Sequence, residues 1–282
     1  MKKRITSVLL IFIFLCMMGC SQSGDSSFSI LFIDVGQGDA ALVECDGQYM
    51  LIDGGPKGAE NKVYEILREK EVQRLEILAI SHLHDDHIGG LPKALTYAST
   101  IGLVLTNSDN FDSVLQSRIS NSGARIVIPR AGDQSVHKYK LGSATIEVIE
   151  NESTKNNDSL VLMITYKKTR FLFTGDIEES AQTRISNLYQ SKSDEAFQID
   201  LIKMPHHGAY NDTLYRFLRT FMPDYAIISV GKGNRYGHPD QKTLDLLSDL
   251  KRSRGTKLYR TDLNGNILVK SNGRTVTIKP DK

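Results

Sequence analysis

The chain has 282 residues, 40 % of them hydrophobic and 24 % charged, with a formal net charge of +2. That balance excludes a disordered, collagen-like or disulfide-dense chain and gives no support to tight, charge-driven nucleic-acid binding. No internal repeat of solenoid period is present.

In chain order, Lys2, Lys3 and Arg4 precede an apolar run, I-T-S-V-L-L-I-F-I-F-L-C-M-M, too short for a comfortable membrane-spanning helix. The run ends at Gly19 and Cys20, and S-Q-S-G-D-S-S follows as a polar tether. A small residue directly before a Cys at this place resembles the bacterial lipoprotein cleavage site, although Met17 stands where that pattern usually has Leu. The reading is a signal peptide over 1–19, a lipidated Cys20 with a flexible tether over 20–27, and one folded domain over 28–282. Loss of Lys2, Lys3 and Arg4 leaves 32 of the 35 basic residues against 33 acidic ones, a net charge of −1. Cys16 leaves with the signal and Cys20 carries lipid. Cys45, in A-L-V-E-C, then remains as a small buried hydrophobe, with no disulfide and no Cys-based zinc site.

Strand-like runs come next: S-I-L-F-I-D-V, A-A-L-V-E-C and Y-M-L-I-D, rich in β-branched and aromatic residues. A helix is predicted from Glu60 to Lys70, with Val63, Ile66 and Leu67 on one face. I-L-A-I-S is a short apolar strand. Helix and strand then alternate through L-P-K-A-L-T-Y-A, I-G-L-V-L-T, V-L-Q-S-R-I-S and A-R-I-V-I-P. Residues 135 to 175 are again strand-rich. The second half alternates once more and closes on a hairpin with Asn-Gly at its turn. Consecutive strands need antiparallel hairpins, so two sheets packed face to face with helices outside fit better than one doubly wound sheet.

The strand I-L-A-I-S runs straight into H-L-H-D-D-H, His82 to His87. With 7 His and 33 acids in the chain, H-x-H-x-[DE]-H arises by chance in roughly one such sequence in two thousand. Alternate residues of an extended loop project to one side, so His82 and His84 can share one cation. Asp86 and His87 then turn to a second cation beside it. Imidazole nitrogen and carboxylate oxygen suit Zn²⁺, Mn²⁺ or Fe²⁺.

This motif resembles the metallo-β-lactamase superfamily, and L-I-D-G-G, L-F-T-G-D and P-H-H-G follow that family's order. D-V-G-Q-G-D-A, N-N-D-S-L-V-L, K-M-P-H-H-G and N-R-Y-G-H-P narrow the resemblance to its ComEC-type branch, similar also to phosphorylcholine esterase modules. The resemblance implies an α/β, four-layered αββα sandwich over 28–282. It implies two divalent metal ions, Zn or Mn, held by His82, His84, Asp86, His87, Asp158, Asp176 and His207. Asp53 is the expected loop-bracing aspartate. Asp86, Asp176, His206 and His238 are the expected catalytic residues. Two departures stand out. The family's third motif normally supplies a histidine, and here N-N-D-S leaves Asp158 either as an oxygen ligand or as a turn cap. Ala209 stands where the branch usually has Ser after H-H-G. P-H-H-G leaves open which of His206 and His207 is the ligand. Asp34 and Asp39 read as shapers of a Gly-rich turn. His137, in V-H-K-Y-K, reads as an exposed strand residue.

Metal coordination lowers the pKa of bound water from ~15.7 to about 7, so hydroxide is available at neutral pH. No G-x-S-x-G nucleophile motif is present. The expected function is a metal-dependent extracytoplasmic hydrolase, lipid-anchored to the bacterial cell membrane, acting on a phosphodiester of DNA or teichoic-acid type. No obligate protein partner is evident. The alternatives are carbon-centred hydrolysis of a lactam, lactone or thioester, and a non-catalytic binding lipoprotein.

Overall fold

The computed structural model describes residues 27–129, 137–150, 159–190 and 197–282. Cys20, the signal and tether segments, and Asp158 lie outside them. The strands are β1 (Phe28–Phe32), β2 (Ala41–Cys45), β3 (Gln48–Ile52), β4 (Arg74–Ile80), β5 (Thr100–Thr106), β6 (Arg125–Val127), β7 (Lys138–Leu141) and β8 (Ala144–Glu150). They continue as β9 (Val161–Tyr166), β10 (Thr169–Phe173), β11 (Leu201–Lys203), β12 (Tyr225–Ile228), β13 (Lys257–Arg260), β14 (Ile267–Ser271) and β15 (Val276–Pro280). The helices are α1 (Glu60–Glu69), α2 (Asp85–Ile88), α3 (Leu91–Ala94), α4 (Ser113–Asn121), α5 (Glu179–Gln190), α6 (Leu214–Phe221), α7 (Gln241–Arg254) and α8 (Thr261–Asn264).

One sheet runs β15-β14-β1-β2-β3-β4-β5-β6 and the other β13-β12-β11-β10-β9-β8-β7. Each joins an antiparallel meander to a parallel half: β3 to β6 in the first, β10 to β13 in the second. The sequence explains the division. Phe28, Ile30 and Phe32 alternate inward along β1, as a strand buried on one face must. The last four residues of β4 are all buried, as a parallel strand covered on both faces requires.

Three apolar layers hold the four-layered αββα stack together. Between the sheets, Phe28 stacks on Tyr166 and on Phe171 at 4.9 Å, and Phe32 on Phe173 at 5.5 Å. Outside the first sheet, Val63 and Leu67 of α1 pack with Leu75, Leu78 and Leu91. Outside the second, Ile185, Phe217 and Leu250 from α5, α6 and α7 cover Ile202 and Ile228. Cys45 is buried and free. The expected helix over Leu91–Ala98 is only α3 followed by turns. His137 is half-buried just before β7, not exposed within a strand; its carbonyl accepts from Val148 N (3.1 Å), which draws the chain onto β8.

Candidate metal centre

Parallel sheets present their ligand sites beyond the carboxyl ends of their strands. Five loops do so here. Asp53 follows β3, the His82–His87 segment follows β4, Asp176 follows β10, His206 and His207 follow β11, and His238 lies in the loop after β12. The sandwich thereby brings residues as distant in sequence as Asp53 and His238 to one place.

The histidines are tied to the fold at Nδ1 and face Asp176 with Nε2. His87 Nδ1 lies 2.9 Å from Asp53 Oδ2, and its Nε2 lies 3.3 Å from Asp176 Oδ2. His207 Nδ1 donates to the Ser229 carbonyl (2.9 Å), and its Nε2 lies 3.4 Å from Asp176 Oδ2 and 3.2 Å from Asp86 Oδ2. His82 Nδ1 sits 3.1 Å from Ser81 Oγ and 3.3 Å from Ser159 Oγ, with Nε2 3.9 Å from the same Asp176 oxygen. A carboxylate or carbonyl behind an imidazole is the arrangement that fixes a metal-ligating tautomer.

The donor set fits a metal. Asp86, His87, Asp176 and His207 each offer one ligand atom, all within 4.8 Å of one another. His82 Nε2, His87 Nε2 and Asp176 Oδ1 are buried with no hydrogen-bond partner, a condition that native interiors rarely leave uncompensated. His84 is exposed, its ring 4.4 Å from that of His82. His206 is 36 % exposed; its Nδ1 lies 3.4 Å from Glu178 and its Nε2 3.9 Å from Asp176 Oδ2. His238 stacks on His206 at 5.6 Å and 22°.

The backbone is shaped for this convergence. His206 (φ 48°) and His207 (φ 53°) both lie in the left-handed region, which costs a non-glycine residue energy and is concentrated at functional sites. Gly175 (φ +51°) precedes Asp176; a Cβ there would lie 2.5 Å from Ser159 Cβ. Gly38 allows the loop before β2 onto the histidine loop: a Cβ would sit 2.2 Å from the Asp86 carbonyl, and Asp39 N donates to that carbonyl (3.1 Å).

Four residues belong to this floor beyond those expected. Asp39 is buried, not merely a turn shaper: it pairs with Lys203, and its Oδ1 lies 3.4 Å from His207 Nδ1. Lys203, 2 % exposed, also donates to the Gly175 carbonyl (3.1 Å) and lies 3.7 Å from Asp176 Oδ1. A Lys inside the apolar run L-I-K-M was the available signal, because a fully buried Lys needs an ionic partner. Ser81 and Ser159 are the other unforeseen members. Ser81 donates Oγ–H to Asp53 (2.7 Å), and Ser159 Oγ accepts from Asp176 N (2.8 Å). Asp34, as expected, shapes the turn by accepting from Gly36 N at 3.3 Å.

The charges are mutually supported. Burial alone would drive the His87 pKa down, but the Asp176 and Asp53 carboxylates outweigh it and raise it to about 10. His207 is raised by the same balance, with Asp176 the chief opponent of burial. Burial raises the Asp176 carboxyl, yet the His207 and His87 cations win and hold it well below the usual range. Asp39 is likewise lowered, the Lys203 ammonium overcoming burial. Asp53 is raised by burial, which the His87 charge only partly offsets. His82 has no such support: burial, then repulsion from His87, lowers it to about 3. Without metal, then, protons occupy the places a divalent cation would take, and its arrival must release them.

A mixed α/β sandwich with a buried His/Asp cluster at the ends of its parallel strands is the architecture of a metal-binding hydrolase fold. The family model described as Metallo-beta-lactamase superfamily matches residues 33–232, and the chain belongs to that superfamily. Its members bind divalent metals and are generally metal-dependent hydrolases. Three curated relatives of the chain are ComEC-type competence proteins. It is 29 % identical to ComE operon protein 3 of Bacillus subtilis over 96 % of this chain and 36 % of that one. It is 26 % identical to Competence protein ComA of Neisseria gonorrhoeae (82 % and 30 %) and to Recombination protein 2 of Haemophilus influenzae (88 % and 29 %). The chain thus spans about a third of the length of these relatives. Among solved structures, the metallo-beta-lactamase fold protein YhfI from Bacillus subtilis matches with a TM-score of 0.56 at 12 % identity, covering 87 % of this chain and all of that one. A CmlA beta-hydroxylase variant matches at 0.58 and 14 %, covering 86 % and 54 %. No helix of the described residues is long and apolar enough to cross a membrane.

Proposed function

We propose that the protein is a metal-dependent phosphodiesterase that works outside the cytoplasm, held to the membrane by a lipid on Cys20. The observation that carries the hydrolytic reading is the set of three buried imidazoles anchored at Nδ1 and converging by Nε2 on Asp176. Relatives named for competence and recombination favour phosphorus over carbon, and a nucleic-acid diester over a teichoic-acid one.

His87, His207, Asp86 and Asp176 would hold one cation; His82 and His84 would hold a second, with Asp158 as its candidate oxygen ligand. Bound there, divalent metal supplies Lewis acidity toward phosphoryl oxygens and activates water at neutral pH. Asp53 and the Ser229 carbonyl hold His87 and His207 in the tautomer that leaves Nε2 inward. His207 is assigned as the ligand and His206 as the substrate-facing residue, because His207 is buried on a backbone carbonyl while His206 is half-exposed on an exposed Glu178. Burial and the neighbouring histidines lower the His238 pKa, against the pull of Asp240, so its ring is neutral at pH 7. Stacked on His206 at the cleft wall, the neutral ring is the candidate to accept a proton from the attacking water.

The test sets bis(p-nitrophenyl) phosphate beside a chromogenic cephalosporin, using protein loaded with Mn²⁺ or Zn²⁺ and Asp176→Ala as control. Diester cleavage that disappears in the variant is the expected result. Cephalosporin turnover alone would move the protein to carbon-centred hydrolysis.

A further inference from the structure

The cleft above the histidines is one of two adjoining lobes. The first, about 360 Å³, is lined by His84, Asp176, His206, His207 and His238. The second, about 390 Å³, is lined by both Lys57, from the loop after β3, and Arg235, from the loop after β12. Gln37, Asp85, Asp86 and Tyr236 line both, so the lobes share a wall. Apart from the shared Asp86, the second lobe carries none of the candidate metal ligands, and its chemistry is different: two exposed cations, an amide and an exposed phenol ring.

The loop carrying Arg235 and Tyr236 is built to hold its shape. Asn234 Oδ1 accepts from Tyr236 N and His238 N (both 3.1 Å), while its Nδ2 donates to the Gly231 carbonyl (3.0 Å) and the His238 carbonyl (2.6 Å). Tyr236 is 53 % exposed, with the Arg235 guanidinium 4.9 Å from its ring centre and Arg235 Nη2 2.7 Å from its hydroxyl. Its ring lies 6.0 Å from His238. Gln37 Oε1 accepts from Gly231 N (3.1 Å), which leaves its amide N–H₂ for the lobe. Asp86 is engaged by His207. Asp85 remains as the one uncompensated carboxylate on the wall, and Lys57 with Arg235 outnumber it.

The geometry points to a subsite for single-stranded nucleic acid, in which Lys57 and Arg235 bind the phosphate next to the scissile one and Tyr236 stacks the base between them. This rests on the phosphodiesterase reading. A phosphate flanked by Arg and Lys gains charge-assisted hydrogen bonds, and an exposed aromatic ring accepts any base by stacking. An isolated diester fills only the metal lobe; a strand fills both.

The substrates that test it are p-nitrophenyl esters of thymidine 5′-phosphate with and without a 3′-phosphate, and the isomeric 3′ esters with and without a 5′-phosphate. The loaded wild-type protein should favour a two-phosphate substrate by about tenfold in kcat/KM in one of the two polarities. In the Lys57→Ala/Arg235→Ala protein that preference should fall below about threefold. Absence of any preference in wild type, or its persistence in the double variant, overturns the subsite. Binding of a fluorescent oligothymidylate in EDTA gives a readout free of catalysis. Its anisotropy titration should weaken by about tenfold in the double variant and also in Tyr236→Ala. A glycerol-phosphate oligomer that competes as well as unlabelled oligothymidylate would overturn the nucleic-acid assignment. Binding that responds to the variants without any diester cleavage would defeat the phosphodiesterase reading and leave the subsite standing; cleavage without preference or binding loss would do the reverse.

Discussion

The floor of the cleft and its rim are built on opposite terms. The floor — Asp39, Asp53, His87, Asp176, Lys203 and His207 — is buried, and each charge in it leans on another. The rim — His84, His206, Arg235, Tyr236 and His238 — is partly or wholly exposed and is tied by stacking, a single carboxylate and the Asn234 turn. Removing a floor group strands its partner in a low-dielectric place, so the consequence reaches metal binding and stability. Removing a rim group leaves a side chain in water, so the consequence should stop at the substrate.

The largest effect expected is Asp176→Ala, which removes the oxygen that three buried imidazoles face. Activity should fall to background and bound metal should drop in elemental analysis; full metal content with full activity would break the comparison at its centre. Next is Lys203→Met, which leaves Asp39 and Asp176 without their buried cation. Denaturant unfolding of the metal-free protein should show a loss of about 3–5 kcal/mol. An unchanged midpoint would show that the pair is not what holds the floor. At the rim, His238→Gln should lower kcat about 100-fold while metal content and unfolding stay as in wild type. Loss of metal in that variant would move His238 into the floor.

The pH response separates the loaded and metal-free floors. His87 is raised from 6.5 to about 10 when folded without metal. Its contribution to stability is therefore full below about pH 6.5 and lost as pH rises through about 10. The metal-free protein should melt at lower temperature at pH 9.5 than at pH 7. Metal affinity should rise over the same interval, because the imidazole gives up the proton that competes with the cation. A metal-free protein that gains stability toward pH 9.5 would contradict the ion-paired floor.

The rim and floor also differ in how legible they are. H-L-H-D-D-H, T-G-D and P-H-H-G are short, contiguous and rich in residue types that no core requires, so the cluster stands out before any folding is considered. The two-sheet stack is legible for a similar reason: alternation in β1 and continuous burial in β4 are local patterns. The Asp39–Lys203 pair is not, since Asp39 lies in the loop before a strand of one sheet and Lys203 ends a strand of the other, and they meet only when the sandwich closes. Nor can P-H-H-G order its histidines. The distinction between His206 and His207 rests on two left-handed residues and on the carbonyl of Ser229, a residue 22 positions away. The subsite loop is illegible for a third reason: Arg235 and Tyr236 are ordinary surface residues until the fold brings Lys57 into the same lobe.

The smallest and sharpest prediction makes the same chemical change in both places. Asp53 and Glu178 each present a carboxylate to the Nδ1 of a site histidine, at 2.9 Å from His87 and 3.4 Å from His206. Asp53→Asn puts an amide where a buried carboxylate accepts from Ser81 N, Ser81 Oγ and His87. Metal affinity should fall about 10- to 100-fold, read by competition with a chromophoric chelator. Glu178 is 46 % exposed, its contact with His206 is a surface pair, and a Gln oxygen still accepts there. Glu178→Gln should therefore change kcat by less than about threefold and leave metal affinity untouched. Equal losses from the two substitutions would mean that burial does not divide the site. A loss of metal confined to Glu178→Gln would reverse the assignment of the two adjacent histidines, making His206 the ligand.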